Sequence, residues 1–275
     1  MDIPSSHHHS SGNAHAGCPE FNAQRAHSPS LKDAIEPFSE VIVDVRESLP
    51  EGKMFMQMDA IKKSVRQILE TIPAHVQLVA AAKSRTLEEV QAAIEAGVTD
   101  IGYNYIQEAI PIIEVIGTQV TWHMIGHLQR NKAKRAVQYF DWIETVDSWQ
   151  LAKALDRHCA KLEKTIPVLI EINSGREANK TGVMPEAVDG LATRMSTLKH
   201  LHLEGLMTMG PRFGDPEESR RYFKSTRRAF EHLAAQHLPN VNMRYLSMGM
   251  SNSYQVAIEE GANLIRIGTK LFGER

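Results

Sequence analysis

Only two cysteines, Cys18 and Cys159, occur in 275 residues, which excludes a disulfide framework and a Cys-rich zinc pattern. Long apolar runs are missing too. Stretches such as LVAAA at 78–82 fall far short of the roughly 20 residues that span a bilayer. Charge of either sign is not in surplus: 31 Lys and Arg against 33 Asp and Glu leave a formal net charge of −2, so no global field draws the chain to nucleic acid or an anionic membrane. What is present is ordinary globular material, 42% hydrophobic and 23% charged, which excludes collagen, a mostly disordered chain and a coiled coil. The length suits one large or two small domains. A cytoplasmic protein is the expectation.

Residues 1–30 are rich in Ser, His, Gly and Pro and hold no apolar core for a secretory signal. They read as a disordered leader, in which SSHHHSSG resembles a shortened expression tag or is native. His7, His8 and His9 lie in this polar tract, which offers a metal no fixed geometry. Hydrophobic residues return over 31–53, an accessory segment with Ile35, Phe38, Val41, Ile42 and Val43. A helix is predicted over 54–72, because Met58, Ile61, Val65, Ile68, Leu69 and Ile72 fall at helical spacing. The compact domain is predicted over 54–275.

From residue 76 short β-branched runs alternate with helical patterns. Strands are predicted at 76–82, 100–102, 121–125, 142–145, 166–172, 201–207, 243–246 and 264–267. A helix over 87–96 has a capping box in Thr86 and Glu89 and a stop in Gly97. Another over 149–163 places Leu151, Leu155, Cys159 and Leu162 on one face, which makes Cys159 a buried apolar residue. Eight strand and helix units in about 200 residues predict an α/β fold, a single parallel (β/α)8 TIM barrel preceded by one helix. A doubly wound open sheet competes, but no GxGxxG follows the first strand.

Chemistry in such barrels sits at the C-terminal ends of the strands. Lys83 stands there after the first strand; it reads as a solvated loop residue or as an amine that apolar walls keep neutral for Schiff-base chemistry. Tyr103, Asn104 and Tyr105 end the second strand. Asn173 ends the fifth and precedes SGREANKTG, a polar loop able to close over a ligand. The seventh runs into Ser247-Met248-Gly249-Met250-Ser251-Asn252-Ser253 before a helical pattern from Tyr254. Such small residues at a helix start leave backbone N–H groups and hydroxyls for a phosphate, or are an ordinary serine cap. The eighth continues as Arg266-Ile267-Gly268-Thr269, and barrel phosphate sites commonly use the loops after strands seven and eight. An amine for an aldehyde and a cradle for a phosphate point together to pyridoxal 5′-phosphate (PLP).

The stretches AAKSRT at 81–86, NYIQEA at 104–109, WHMIGHLQRNK at 122–132, NSGREANKTG at 173–182, GLMTM at 205–209, LSMGMS at 246–251 and IRIGTKLFG at 265–273 resemble the pyridoxal phosphate homeostasis family, in the order that the family has them. The resemblance covers about 55–275. It implies that Lys83 holds PLP as a Schiff base, that Ser247, Met250, Ser251, Gly268 and Thr269 surround the phosphate, that Arg266 faces the pyridine nitrogen and that Asn104 lies near the ring. His123 and Asn173 read as pocket residues, with a barrel-interior histidine satisfied by polar neighbours as the alternative for His123. The family usually has Glu at Tyr103, Ser at Gly175 and an acidic residue just after SMGMS, where this chain has Asn252 and Ser253.

The barrel also resembles the N-terminal domain of alanine racemase. A racemase needs the ring as an electron sink and a positioned acid/base, and that enzyme's second domain supplies an opposing tyrosine. The length from 54 to 275 leaves room for little beyond the barrel. The expectation is a PLP-binding protein of vitamin B6 homeostasis that buffers or delivers the cofactor, with apo PLP enzymes as recipients, no catalytic residues and no bound metal. The alternatives are a racemase of low activity using Lys83 with Tyr103, Tyr105 or His123, a Schiff-base aldolase acting on a phosphosugar, and a scaffold whose site has decayed. The KSTRRAF run at 224–230 reads as a solvated helix face and not as a nucleic-acid patch.

Overall fold

Strands buried on both faces read as near-continuous apolar runs, because each face meets a different partner. Most of the eight runs here do so by closing on themselves, whereas the seventh alternates exposed Asn242 and Arg244 with half-buried neighbours. The computed structural model describes residues 51–211 and 214–274, with side chains from Met54 onward. The leader, with His7, His8, His9 and Cys18, and the accessory segment as far as residue 50 lie outside the described residues.

The strands are β1 (Gln77–Ala81), β2 (Asp100–Tyr103), β3 (Thr121–Met124), β4 (Trp142–Val146), β5 (Ile166–Glu171), β6 (Leu201–Met207), β7 (Val241–Ser247) and β8 (Leu264–Ile267). They form one closed barrel in sequence order, parallel throughout, and β1 pairs with β8 through Leu78–Ile265 and Val79–Arg266. This is the expected TIM barrel, with strand ends within two residues of the predicted ones.

Side chains alternate across each strand, so one set fills the barrel and the other faces the helices. Val79, Ile125, Leu169, Met207 and Leu264 form the inner cluster. Ala80, Ile101, Tyr103, Trp122, Met124 and Ile170 belong to the larger outer one. The first helix, α1 (Glu51–Thr71), begins three residues earlier than predicted and buries Ile61, Val65 and Ile68. In α2 (Leu87–Glu95) the Thr86–Glu89 capping box is formed, and Gly97 ends the element at φ +111°. The helices α3 (Ile106–Ile116), α4 (Ala133–Tyr139), α5 (Trp149–Lys161), α6 (Val188–Met195), α7 (Arg220–Ala235), α8 (Tyr254–Glu259) and α9 (Thr269–Phe272) complete the outer layer. Cys159 on α5 is buried and unpaired in any disulfide, and burial pushes its thiol up to about 11. It behaves as the expected apolar residue. In the KSTRRAF run Lys224, Arg227 and Arg228 are not buried while Thr226 is, and Arg227 pairs with Glu231 along α7. Among the described residues no helix is long and apolar enough to cross a membrane.

Candidate functional site

Val79 and Ala81 line the inside of β1, and the two-residue period carries that side on to Lys83. The lysine is half-buried, with Nζ 5.1 Å from the centroid of the Tyr105 ring. Its loop is pinned from three directions. Ser84 adopts φ 57°, a left-handed conformation costly for a residue with a Cβ, and its N–H donates to the Glu108 carboxylate at 3.0 Å. Arg85 donates to Glu89 at 3.1 Å and to the Phe272 carbonyl at 3.2 Å.

Tyr103, by contrast, faces away from the barrel interior. It is buried in the outer cluster with its ring centroid 6.4 Å from that of Trp122. Its hydroxyl is buried without a hydrogen-bond partner among the described residues. Burial first, then the charges of Glu108 and Glu89, hold the phenol well above its ordinary value. Tyr103 therefore belongs to the helix-facing layer.

Asn104 lies in the loop after β2, and Gly126 after β3 packs directly on its backbone. A Cβ on Gly126 would sit 2.3 Å from the Asn104 carbonyl oxygen, so only glycine permits this approach. Gly126→Ala is expected to cost about 1–3 kcal/mol by overpacking. Urea unfolding measures this, and an unchanged midpoint would mean that the two loops have slack.

Inside the barrel a charged network runs from wall to wall. His123 on β3 donates Nδ1–H to Glu144 Oε1 at 2.8 Å and Nε2–H to Asp100 Oδ1 at 3.1 Å. The other Glu144 oxygen accepts from the Ser247 hydroxyl at 2.5 Å. Arg266 on β8 donates to the same hydroxyl and to the Thr208 carbonyl at 2.9 Å, and lies 3.8 Å from Glu144. Burial opposes charge on His123, but hydrogen bonds and attraction from Asp100 and Glu144 prevail and raise it to about 9. Burial likewise pushes Glu144 upward and is outweighed by His123, Arg266 and Ser247. For Asp100 burial is outweighed by His123 and the Thr99 hydroxyl. Burial pulls Arg266 down from its ordinary value, yet a guanidinium keeps its proton in proteins. His123 is thus the satisfied barrel histidine, and the Ser247 hydroxyl is committed to Glu144 and Arg266.

The loops after β7 and β8 meet above this network. Ser251 Oγ accepts from the backbone N–H of Gly268 at 3.2 Å and of Lys270 at 3.3 Å. Gly249 turns the chain at φ +94°, where a Cβ would come within 2.6 Å of Ala257. Gly268 approaches β1, since its Cβ would lie 3.2 Å from the Ala81 carbonyl oxygen, two residues before Lys83. Met250 is half-buried and Thr269 exposed at the same loops. Lys83, Arg266, Ser251, Gly268 and Thr269 therefore share one end of the barrel.

On the opposite wall Asn173 acts as a loop fastener, donating to the Glu177 carbonyl at 2.8 Å and accepting from the Glu177 N–H at 3.0 Å. Asp100, Glu144, Glu171 and Glu108 were not singled out by sequence reasoning. For Glu144 and Glu171 the signal was available: a lone carboxylate within WIETV or IPVLIE is unusual in a buried strand without a partner.

The chain's residues 56–275 match the alanine racemase N-terminal domain family. A pyridoxal phosphate homeostasis protein of Pasteurella multocida is 36% identical over 203 residues, 73% of this chain and 87% of that one. The solved structure of PipY of Synechococcus elongatus with PLP bound is 33% identical, with a TM-score of 0.72 over 78% of this chain and all of that chain. Alanine racemase of Corynebacterium glutamicum, at 19% identity and a TM-score of 0.67, is matched over 62% of its length and shows the fold alone. Barrel, motifs and full-length relatives agree, and this chain belongs to the pyridoxal phosphate homeostasis protein family.

Proposed function

We propose that residues 54–275 bind pyridoxal 5′-phosphate and serve cytoplasmic vitamin B6 homeostasis, buffering the cofactor or delivering it to apo PLP enzymes. One observation carries the reading: an amine, an arginine and a small-residue double loop converge at one end of the barrel. These groups suit the cofactor. Lys83 Nζ would condense with its aldehyde carbon, the carbonyl oxygen leaving as water, Ser251, Gly268 and Thr269 with the Met250 backbone would hold its phosphate, and Arg266, steadied by Ser247, would donate to its ring nitrogen. When bound, PLP supplies an aldehyde and an electron-withdrawing ring. A guanidinium at the ring nitrogen disfavours protonation there and so weakens that electron withdrawal, which suits storage better than turnover. Two of the chain's three candidate proton carriers support the same preference, since His123 is pinned between two carboxylates and Tyr103 lies in the outer cluster; the third, Tyr105, stands beside Lys83 and is the one that Cα–deuterium exchange tests.

Absorption spectroscopy of purified protein soaked with PLP tests the reading. A visible band from covalent attachment is expected, together with negligible Cα–deuterium exchange of L-alanine or L-serine in deuterated water. A missing band removes the cofactor assignment, and rapid exchange dependent on Lys83 replaces the carrier with a racemase.

A further inference from the structure

Glu171 closes β5 two residues after Leu169, an inner-cluster residue, so the strand period aims it inward, one layer nearer the mouth. The side chain is 2% exposed. Oε1 accepts the Thr181 hydroxyl at 2.6 Å, whereas Oε2 is buried with no hydrogen-bond partner among the described residues. A buried carboxyl oxygen without a partner is costly, at a scale that native structures usually remove by pairing. The surroundings do not neutralise it as they do Glu144. Burial pushes the Glu171 carboxyl up; the Thr181 hydroxyl and the charges of Arg266 and His127 oppose this, and Asp147 reinforces it. Burial and Asp147 thus act against the charged carboxylate here, and a carboxyl that holds its proton donates through its O–H.

We propose that Glu171 is a cofactor-recognition residue whose Oε2 makes the hydrogen bond to the phenolic oxygen of the pyridine ring. This inference rests on the PLP reading above. That ligand has four polar attachments, and three have partners in that reading: the aldehyde with Lys83, the phosphate with the loops after β7 and β8, and the ring nitrogen with Arg266. The phenolic oxygen lies on the edge of the ring away from the phosphate. The inward polar groups Asp100, His123 and Glu144 already have partners, while Glu171 Oε2 has an unused bond and is within electrostatic reach of Arg266. One proton held between Glu171 Oε2 and the phenolic oxygen makes this hydrogen bond, and none leaves the pair.

The test compares equilibrium binding of PLP and of 3-deoxypyridoxal 5′-phosphate, which keeps aldehyde and phosphate but lacks the phenolic oxygen, to wild type, Glu171→Leu and Glu171→Gln. Glu171→Leu is expected to weaken PLP binding about tenfold and to leave the analogue within about twofold, the scale of one hydrogen bond. Glu171→Gln, whose amide donates from the same place, retains the preference for PLP. If Glu171→Leu does not fold, Glu171→Met, similar in length, takes its place. Equal losses for both ligands, or no loss for either, overturn the assignment; the second result would point to Asn104 as the partner of that oxygen. Absence of PLP binding by wild type would instead remove the proposed function itself.

Discussion

Lys83→Ala is expected to abolish the visible band of PLP-soaked protein and to lower affinity by about 100-fold or more, which corresponds to about 2.7 kcal/mol. The melting temperature without ligand should stay within about 2 °C, the scale for a substitution outside the core. The separation of the two effects follows from how the loop is built. Its shape depends on the Ser84 N–H bonded to Glu108 and on Arg85 bonded to Glu89 and Phe272, none of which requires the lysine side chain. Lys83→Arg sharpens the experiment, because a guanidinium keeps the positive charge beside Tyr105 but does not condense with an aldehyde. If arginine restores most of the affinity, Lys83 acts through charge. If the band survives in Lys83→Ala, another amine holds the cofactor.

Much of this was legible in the sequence because it is local. Strand length, the alternation with helices and the Thr86–Glu89 box are properties of neighbouring residues, and the structure places them within a few positions of the reading. Lys83, Ser251 and Gly268 were legible as motifs after strands. The direction of Tyr103 follows from strand period alone, since it is odd where Gly102 and Asn104 are even, but that requires knowing that β2 alternates regularly through its end. The charged network is different. Glu144 meets His123 across 21 residues and Ser247 across 103, and only barrel closure brings them together. Asn173 illustrates a second limit: an amide after a strand serves a ligand or its own loop equally well, and Glu177 decides between them.

Removing the Glu144 carboxylate should be the most destabilising single change inside the barrel. Glu144→Leu takes from Arg266 its nearest buried counter-charge and from His123 one of two acceptors, and breaking a buried pair by deleting one partner costs about 3–5 kcal/mol. For a domain of this size each kcal/mol is worth about 2–4 °C, so the melting temperature should fall by roughly 6–20 °C. The same network sets a pH dependence. His123 has an ordinary value of 6.5 and is raised to about 9 in the folded protein. Its contribution, about 3 kcal/mol, is therefore complete below pH 6.5 and is lost as pH rises through 9. Asp100 and Glu144 are lowered instead, so theirs is present above the usual carboxylate range and lost on acidification. Urea unfolding of wild type and Glu144→Gln from neutral to alkaline pH separates these contributions. The amide keeps the shape but removes the charge, so the alkaline loss should shrink and begin at lower pH. A wild-type stability that stays flat through pH 9, with Glu144→Leu melting within about 2 °C of it, would mean that His123 is neutral and the network carries no net charge coupling.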